Sequence, residues 1–264
     1  MSFFRLPRWG GFWLVALPFV AICHGAEPQK PTPLKSGIEF ASADVRRLQA
    51  DDFENPGMLW VARGAKLWNE PAEKGGKSCV ACHGDARQSM KGVAARYPRV
   101  DPGAGRLVNL EGRINLCREK NQQAAPFVHE SAELLAVTAY VAYQSRGMPT
   151  QAALDAQSMK DFERGRVLYH ARIGQMNLAC AHCHDRNWGR KLAAETISQG
   201  HGNAYPAYRL EWQSVGSLAR RIRACYFGLR AEMPPFGAQD LLDLELYLAW
   251  RGSGLSVETP GVRR

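Results

Sequence analysis

The sequence lacks an apolar run long enough to cross a bilayer, which needs about 20 residues. The apolar run nearest the N-terminus, residues 12–22, follows Arg5 and Arg8 and precedes a Gly-Ala pair at residues 25–26. A basic region, a short apolar core and a small-residue cleavage zone are typical of a secretory signal. The sequence therefore predicts a cleaved signal peptide over residues 1–26 and an exported protein with no membrane span.

Strand patterns are also scarce, and no βαβ pattern surrounds any cysteine pair. The net charge of +9 comes from dispersed basic residues, and no nucleic-acid-binding motif is present. This charge indicates either solubility or attraction of an anionic substrate or an acidic partner. There is no Ser/His/Asp hydrolase pattern, so the cysteines become the main indicators of chemistry.

Two Cys-x-x-Cys-His motifs are the most informative feature of the chain. In c-type haem attachment, the two cysteines bind the haem vinyl groups and the histidine is the proximal iron ligand. The motifs begin 180 − 79 = 101 residues apart, whereas the cysteine pairs of a zinc ribbon lie about 15–20 residues apart. The predicted attachment cysteines and iron ligands are Cys79, Cys82 and His83 for one haem, and Cys180, Cys183 and His184 for the other.

The haem motifs belong to an internal repeat. Matching pairs at offsets of 101 and 108 include Arg63-Gly64 with Arg164-Gly165, and Tyr97-Pro98 with Tyr205-Pro206. Helical periodicity in each half predicts an all-α protein of two tandem class I cytochrome c-like domains, each enclosing one haem. The predicted divisions are a flexible segment over residues 27–40, a first domain (the first unit) over 41–150 and a second domain (the second unit) over 151–264.

The second axial ligand of each iron is open to two interpretations. Met233 precedes the last helix of the second unit, as the distal methionine of ordinary cytochromes c does. The first unit has no matching methionine, whereas both units contain an Arg-Ile-x-x-Cys sequence that ends at Cys117 or Cys225. Cysteine ligation of both irons fits this symmetry better. A disulfide between Cys117 and Cys225 is the alternative use of these two residues.

Arginines crowd Cys225. Arg221 precedes it by four residues and therefore shares its face of a helix. Guanidinium groups lower a thiol pKa and bind oxyanions in bidentate fashion, so this cluster indicates a haem-bound sulfur beside an anion site. The equivalent Arg113 of the first unit could pair with a haem propionate instead. The arginines near Cys225 are Arg220, Arg221, Arg223 and Arg230.

At these residues the chain closely resembles the SoxA family, the haem subunit of the periplasmic thiosulfate-oxidising complex. The resemblance covers essentially everything after the signal peptide. Because the first motif and Cys117 are retained, the chain is similar to the dihaem form. The matching stretches are Gly-Gln-Met-Asn-Leu at 174–178, Cys-His-Asp at 183–185, His-Gly-Asn-Ala-Tyr-Pro-Ala-Tyr-Arg-Leu at 201–210 and Ser-Leu-Ala-Arg-Arg at 217–221.

The resemblance implies an L-cysteine S-thiosulfotransferase. Such an enzyme oxidatively joins thiosulfate to a cysteine of the SoxYZ carrier protein, while two electrons pass through haem to an acceptor cytochrome c. It further implies that Cys225 is both an iron ligand and the catalytic sulfur, often found as a persulfide, and that Arg221 binds thiosulfate. The implied partner is a small monohaem cytochrome c, SoxX, and the implied location is the periplasm. The first haem is then structural or a remnant of electron transfer.

Two other classes of function compete with this interpretation. A dihaem electron carrier would need neither a reactive ligand sulfur nor an anion pocket, so the two hypotheses differ at Cys225 and Arg221. A dihaem peroxidase needs an open iron position, which two cysteine ligands would fill.

Overall fold

The computed structural model describes residues 1–3, 30–73, 76–152 and 154–264. Almost all of the predicted signal peptide lies outside the described residues. Within them, no helix combines the length and the apolar character that crossing a membrane requires. The α-helices are α1 (Ala43–Ala50), α2 (Met58–Asn69), α3 (Cys79–His83), α4 (Ala86–Ser89), α5 (Leu110–Cys117), α6 (Ala132–Tyr143), α7 (Met159–His170), α8 (Cys180–His184), α9 (Leu218–Gly228) and α10 (Gln239–Arg251).

Short strands and other helical turns complete the described structure. The all-α expectation needs correction, because the chain is 43% helical and also contains small sheets. Strands of two or three residues are too short to show the alternation that identifies a strand in a sequence. The strands are β1 (Arg99–Asp101), β2 (Arg106–Val108), β3 (Lys191–Leu192), β4 (Glu195–Thr196), β5 (Ala207–Arg209), β6 (Ser214–Gly216) and β7 (Gly261–Arg263). The turns are 3₁₀-helical at Gly37–Phe40 and Ala94–Arg96 and π-helical at Arg118–Gln122.

Each unit places an antiparallel hairpin directly before the helix that ends with its third cysteine. In the first unit, β1 pairs with β2 and α5 follows; in the second unit, β5 pairs with β6 and α9 follows. Polar caps begin both helices: Asn109 accepts from Gly112 N at 2.9 Å, and Ser217 accepts from Arg220 N at 3.0 Å. The repeat seen in the sequence is therefore also a repeat of structural elements.

Two glycines allow the main helices of each unit to cross in close contact. α2 packs against α6, and α7 packs against α10. A Cβ atom at Gly64 would lie 2.1 Å from the carbonyl oxygen of Ala136, and one at Gly165 would lie 2.0 Å from that of Asp243. These distances leave no room for a side chain, so the backbones of the paired helices touch. The repeated Arg-Gly pairs are thus explained by packing.

The start of the described chain packs against the second unit. Lys35 N donates to Gln199 Oε1 at 2.8 Å, and Val262 N donates to Gln49 Oε1 of α1 at 2.9 Å. Asn55 Nδ2 donates to the carbonyl of Pro260 at 3.0 Å. The described end of the segment predicted to be flexible therefore contacts the second unit, and so does the beginning of the predicted first domain.

The two units hold each other's cysteine-bearing helices at their N-termini. Asn109, the N-cap of α5, donates from Nδ2 to Glu245 Oε2 of α10 at 3.0 Å. Ser217, the N-cap of α9, donates its backbone N–H to Glu130 Oε1 of the first unit at 3.3 Å. Burial raises the pKa of Glu245 to about 8, and the neighbouring Glu111 carboxyl adds to the rise. The contact between the units therefore contains a carboxyl group that keeps its proton near neutral pH.

The close helix crossing predicts that a single methyl group added at Gly165 strongly destabilises the fold. Gly165→Ala should lower the free energy of unfolding by at least about 2 kcal/mol, because overpacking against a rigid backbone forces the helices apart. Urea unfolding followed by far-UV circular dichroism measures this. Gly228→Ala is the matched control, since a Cβ there would meet nothing within 4 Å. Equal stability of the two variants would contradict the packing argument.

The buried carboxyl predicts a pH dependence of stability. The pKa of Glu245 rises from 4.5 to about 8 on folding, so the folded state holds the proton more tightly, and stability falls as the pH increases between these values. Glu245→Gln, which stays neutral, should show a smaller fall in Tm between pH 5 and pH 8 than the unaltered protein. Glu133→Gln, at an exposed ion pair with Arg63, should follow the unaltered protein. Parallel Tm curves for all three proteins would exclude this role of Glu245.

Candidate active site

The second haem motif presents a histidine held in one orientation. His184 ends α8, and its Nδ1–H donates to the carbonyl oxygen of Ser198 at 2.7 Å. This hydrogen bond leaves Nε2 with a free lone pair, as a metal-ligating histidine requires. Gly200, at φ +77°, lies against the imidazole, where a Cβ would be 2.8 Å from Cγ. The backbone after the motif therefore fixes the ring from two sides.

The structure brings Cys225 of α9 to this imidazole. Burial raises the pKa of Cys225, but a hydrogen bond with His184 and the positive charge of Arg221 lower it further, to about 7. Burial raises the pKa of the motif cysteine Cys180 to about 12, and the negative charge of the nearby Cys225 contributes to the rise. The structure therefore brings the two motif cysteines, the histidine and Cys225 close together.

The first unit assembles the same residue types. The Trp68 ring lies 5.7 Å from the His83 ring, and its Nε1 donates to the carbonyl of Gly84 at 3.1 Å. Burial raises the pKa of Cys79, and the nearby Cys117 contributes to the rise. The third cysteine of this unit therefore lies near its own haem motif, just as Cys225 lies near the second.

The structure bears on the two alternatives that the sequence leaves open: a disulfide between Cys117 and Cys225, and Met233 as the distal ligand. Cys117 and Cys225 are both free thiols, so the structure contradicts the disulfide between them. Met233 is 41% exposed, whereas Cys225 contacts the imidazole of His184. The geometry therefore favours cysteine over Met233 as the residue facing His184.

The arginines near Cys225 differ in what they contact. Arg220 lies 3.8 Å from Glu130 and 4.2 Å from the Trp212 ring, and Arg223 lies 4.3 Å from the Phe236 ring. Arg221 forms no ion pair with any described residue. Burial lowers the pKa of Arg221, but the surrounding negative charges, of which the Cys225 thiolate is the largest, together raise it by more. Of this cluster, Arg221 is the residue whose charge acts on the sulfur.

The corresponding arginine of the first unit is neutralised. Arg113 Nη1 lies 3.1 Å from Asp101 Oδ2, whose side chain is only 9% exposed. The sequence leaves open a pairing of Arg113 with a haem propionate; in the structure its partner is the carboxylate of Asp101. The two units thus share a fold and a cysteine position but differ in the charge available beside the sulfur.

Comparison with known proteins identifies the family. The model of the SoxA/TsdA cytochrome c domain matches residues 63–150. The L-cysteine S-thiosulfotransferase subunit SoxA of Pseudaminobacter salicylatoxidans is 44% identical over 230 residues, which are 87% of this chain and 80% of the relative. The chain belongs to the SoxA family. The SoxA subunit of Rhodovulum sulfidophilum is 37% identical over the same shares of the two chains.

A solved structure supports the same assignment. The crystal structure of SoxXA from P. pantotrophus superposes with a TM-score of 0.84 at 36% identity, covering 88% of this chain and 87% of that one. The resemblance to the SoxA family predicted from the sequence is therefore confirmed. A cytochrome c domain contains covalently bound haem c, so haem is a cofactor of this chain.

The donor set fits haem better than a bare metal ion. Among the described residues, no three His, Cys, Asp or Glu side chains are close enough to hold an ion directly. Motif thiols nevertheless interact electrostatically with the third cysteine of the same unit: Cys79 with Cys117, and Cys180 and Cys183 with Cys225. These side chains surround a space and do not meet at one point, which leaves room for a larger group between them. In this family that group is haem.

Sequence reasoning missed one residue of this SoxA site. Arg209, at the end of β5, is only 5% exposed, and its positive charge also lowers the pKa of Cys225. In the sequence it lies within the stretch 201–210 that matches the family. The repeat could have identified it, because at the offset of 108 it takes the place of Asp101.

The close contact of Gly200 with His184 predicts a local spectroscopic effect. Gly200→Ala should displace the imidazole and change the absorption and EPR signals of the haem bound at the second motif. Gly84→Ala is the control: it follows the first motif, has φ +64°, and a Cβ there would meet nothing within 4 Å. Both variants therefore introduce backbone strain, but only the first introduces a clash. Identical haem spectra in the two variants would show that Gly200 does not set the ligand orientation.

Proposed function

We propose that this chain is a catalytic haem subunit of an L-cysteine S-thiosulfotransferase, with Cys225 as the catalytic sulfur and Arg221 as a thiosulfate-binding residue. One observation carries the proposal most directly. Arg221 stands beside a half-buried thiol without a carboxylate partner among the described residues, while the equivalent Arg113 is paired with Asp101. A positive charge left unbalanced beside a reactive sulfur is what an anionic sulfur substrate requires.

The reaction joins two sulfur atoms and releases electrons. A bond forms between the sulfane sulfur of thiosulfate and the thiol sulfur of the carrier cysteine; two electrons and one proton leave. Haem c, when bound, supplies the route for these electrons toward an acceptor cytochrome c. Arg221 holds the thiosulfate oxygens by charge-assisted hydrogen bonds. The hydrogen bond with His184 and the positive charge of Arg221 lower the pKa of Cys225 despite its burial, which favours the nucleophilic thiolate form.

The proposal includes two haems. The first is attached to Cys79 and Cys82, with His83 and Cys117 as iron ligands. The second is attached to Cys180 and Cys183, with His184 and Cys225 as iron ligands. Supporting this, each unit brings its own motif and third cysteine together, and the fold elements around them repeat.

Partners and location follow from the same family. The matched solved structure is of SoxXA, which supports a small SoxX-like monohaem cytochrome c as the partner subunit. The carrier is a SoxYZ-like protein whose cysteine must reach Cys225, and the final acceptor is a cytochrome c. The predicted signal peptide and the haem c motifs support a periplasmic location.

The proposed role of Arg221 can be tested against its paired counterpart. Arg221→Gln should lower kcat/KM for thiosulfate by at least about 30-fold, because losing one partner of a buried charge pair costs about 2–5 kcal/mol. Arg113→Gln should leave turnover nearly unchanged. The measurement is mass spectrometry of the carrier's cysteine peptide after incubation with thiosulfate, the partner cytochrome and an oxidised acceptor.

Two results would contradict the proposed function. Equal loss of the thiosulfonate adduct in both variants would show that Arg221 has no special relation to the substrate. Absence of the adduct with the unaltered protein, while its haem remains intact and reducible, would favour an electron-transfer cytochrome with no role in bond formation.

A further inference from the structure

The two units differ by a reversal of charge at one strand position. β1 and β5 are equivalent strands, 207 − 99 = 108 residues apart, and their hairpin partners β2 and β6 are separated by the same 108 residues. With no gap between these strands, Asp101 corresponds to Arg209. The same offset relates Arg113 to Arg221. The Arg113–Asp101 ion pair of the first unit is therefore replaced in the second unit by two arginines.

Arg209 is a buried cation with little to balance it. Its side chain is 6% exposed, and its ion-pair partner Glu211, at 2.8 Å from Nε, is 50% exposed. A carboxylate so open to water is strongly screened and neutralises a buried guanidinium poorly. The contact engages only Nε, so the Nη groups keep their hydrogen-bonding capacity. Burying a charge whose counter-charge is screened by water is costly, which indicates that an anion completes this site.

The surrounding structure holds Arg209 rigidly beside α9. Its guanidinium lies 5.1 Å from the centre of the Trp212 ring, and Arg220 of α9 lies 4.2 Å from the same ring. Gly216 admits the ring, because a Cβ there would be 2.4 Å from it. Trp212 thus connects the β5–β6 hairpin to the first turn of α9, which also carries Arg221. The positive charges of Arg209 and Arg221 both act on Cys225.

We propose that Arg209 is a second thiosulfate-binding residue, which with Arg221 forms a two-arginine site for a dianion beside Cys225. This inference rests on the proposed function and deepens it. Thiosulfate carries two negative charges, and two guanidinium groups can each offer it a bidentate contact. Glu211 and Trp212 act as positioning residues that orient Arg209.

The first unit argues against a general role of Arg209 toward haem. That unit has the same attachment motif and the same third cysteine, yet it places Asp101 at the equivalent position, where the aspartate pairs with Arg113. Attachment of haem in this fold therefore does not itself require a positive charge there. What distinguishes the second unit is the reactive sulfur, and the reversal of charge accompanies it.

Three substitutions test the inference in the full-length protein with its partner cytochrome. Arg209→Gln should raise KM for thiosulfate about 10-fold or more, with a smaller change in kcat, and should raise the inhibition constant of sulfate by a similar factor. Sulfate is the probe of binding alone, because it is a dianion with no sulfane sulfur. Arg209→Lys should retain part of the affinity. Arg209→Asp should weaken thiosulfate binding most, because the new carboxylate would pair with Arg221 as Asp101 pairs with Arg113 in the first unit.

Arg106→Gln is the matched control, because Arg106 is an exposed arginine on the equivalent hairpin of the first unit and the net charge changes equally. Identical KM and sulfate inhibition in Arg209→Gln and Arg106→Gln would overturn the inference. An unchanged KM together with an altered EPR signal of the haem at the second motif would overturn it too, since Arg209 would then serve the haem or the fold. Failure of the proposed function would instead appear in the unaltered protein, as absence of the carrier adduct. Weaker binding of sulfate and thiosulfate in Arg209→Gln would support the anion site even then.

Discussion

The unbalanced positive charge beside the Cys225 sulfur is the constraint on which the rest of the second unit depends. Arg221 has no carboxylate partner among the described residues, and Arg209 has only a half-exposed one. Such charges are tolerated in a partly buried place only if an anion resides there or arrives there. The thiolate supplies one negative charge, and the hydrogen bond with His184 and the positive charges of Arg221 and Arg209 lower its pKa despite burial. The proposed thiosulfate site is the completion of the same electrostatic arrangement.

The fold serves this arrangement by fixing helix positions. Touching backbones at Gly64 and Gly165 set the two helix pairs. Contacts across the units then hold the N-termini of α5 and α9, through Glu245 and Glu130. A helix fixed at its N-terminus places the residues of its later turns accurately, and Cys225 is two turns into α9. The first unit thereby contributes to the placement of the Cys225 sulfur.

The sequence predicts those parts of this molecule that depend on local patterns. The haem motifs have fixed spacing, the repeat keeps nearly constant offsets, and Arg221 and Cys225 are joined by helical geometry, so each could be predicted from the chain alone. The short strands could not be predicted, because three residues show no period. Glu130 was not identified either, because its contact with Ser217 joins residues 87 positions apart. Arg209 could have been identified from the repeat, because the offset of 108 aligns it with Asp101, but its burial is seen only in the structure.

The two units act as internal controls for each other. Both conserve the attachment motif, the hairpin, the capped helix and the third cysteine, and these shared features are what the fold and haem attachment need. The differences show what is specific to each unit. The first unit has an ion pair of Arg113 with Asp101, and the second has two arginines at the equivalent positions. A structural requirement would act on both units equally, since they have the same elements around the same motif. The reversal of charge at position 209 is therefore better explained by a ligand than by the fold, and its sign specifies that the ligand is an anion.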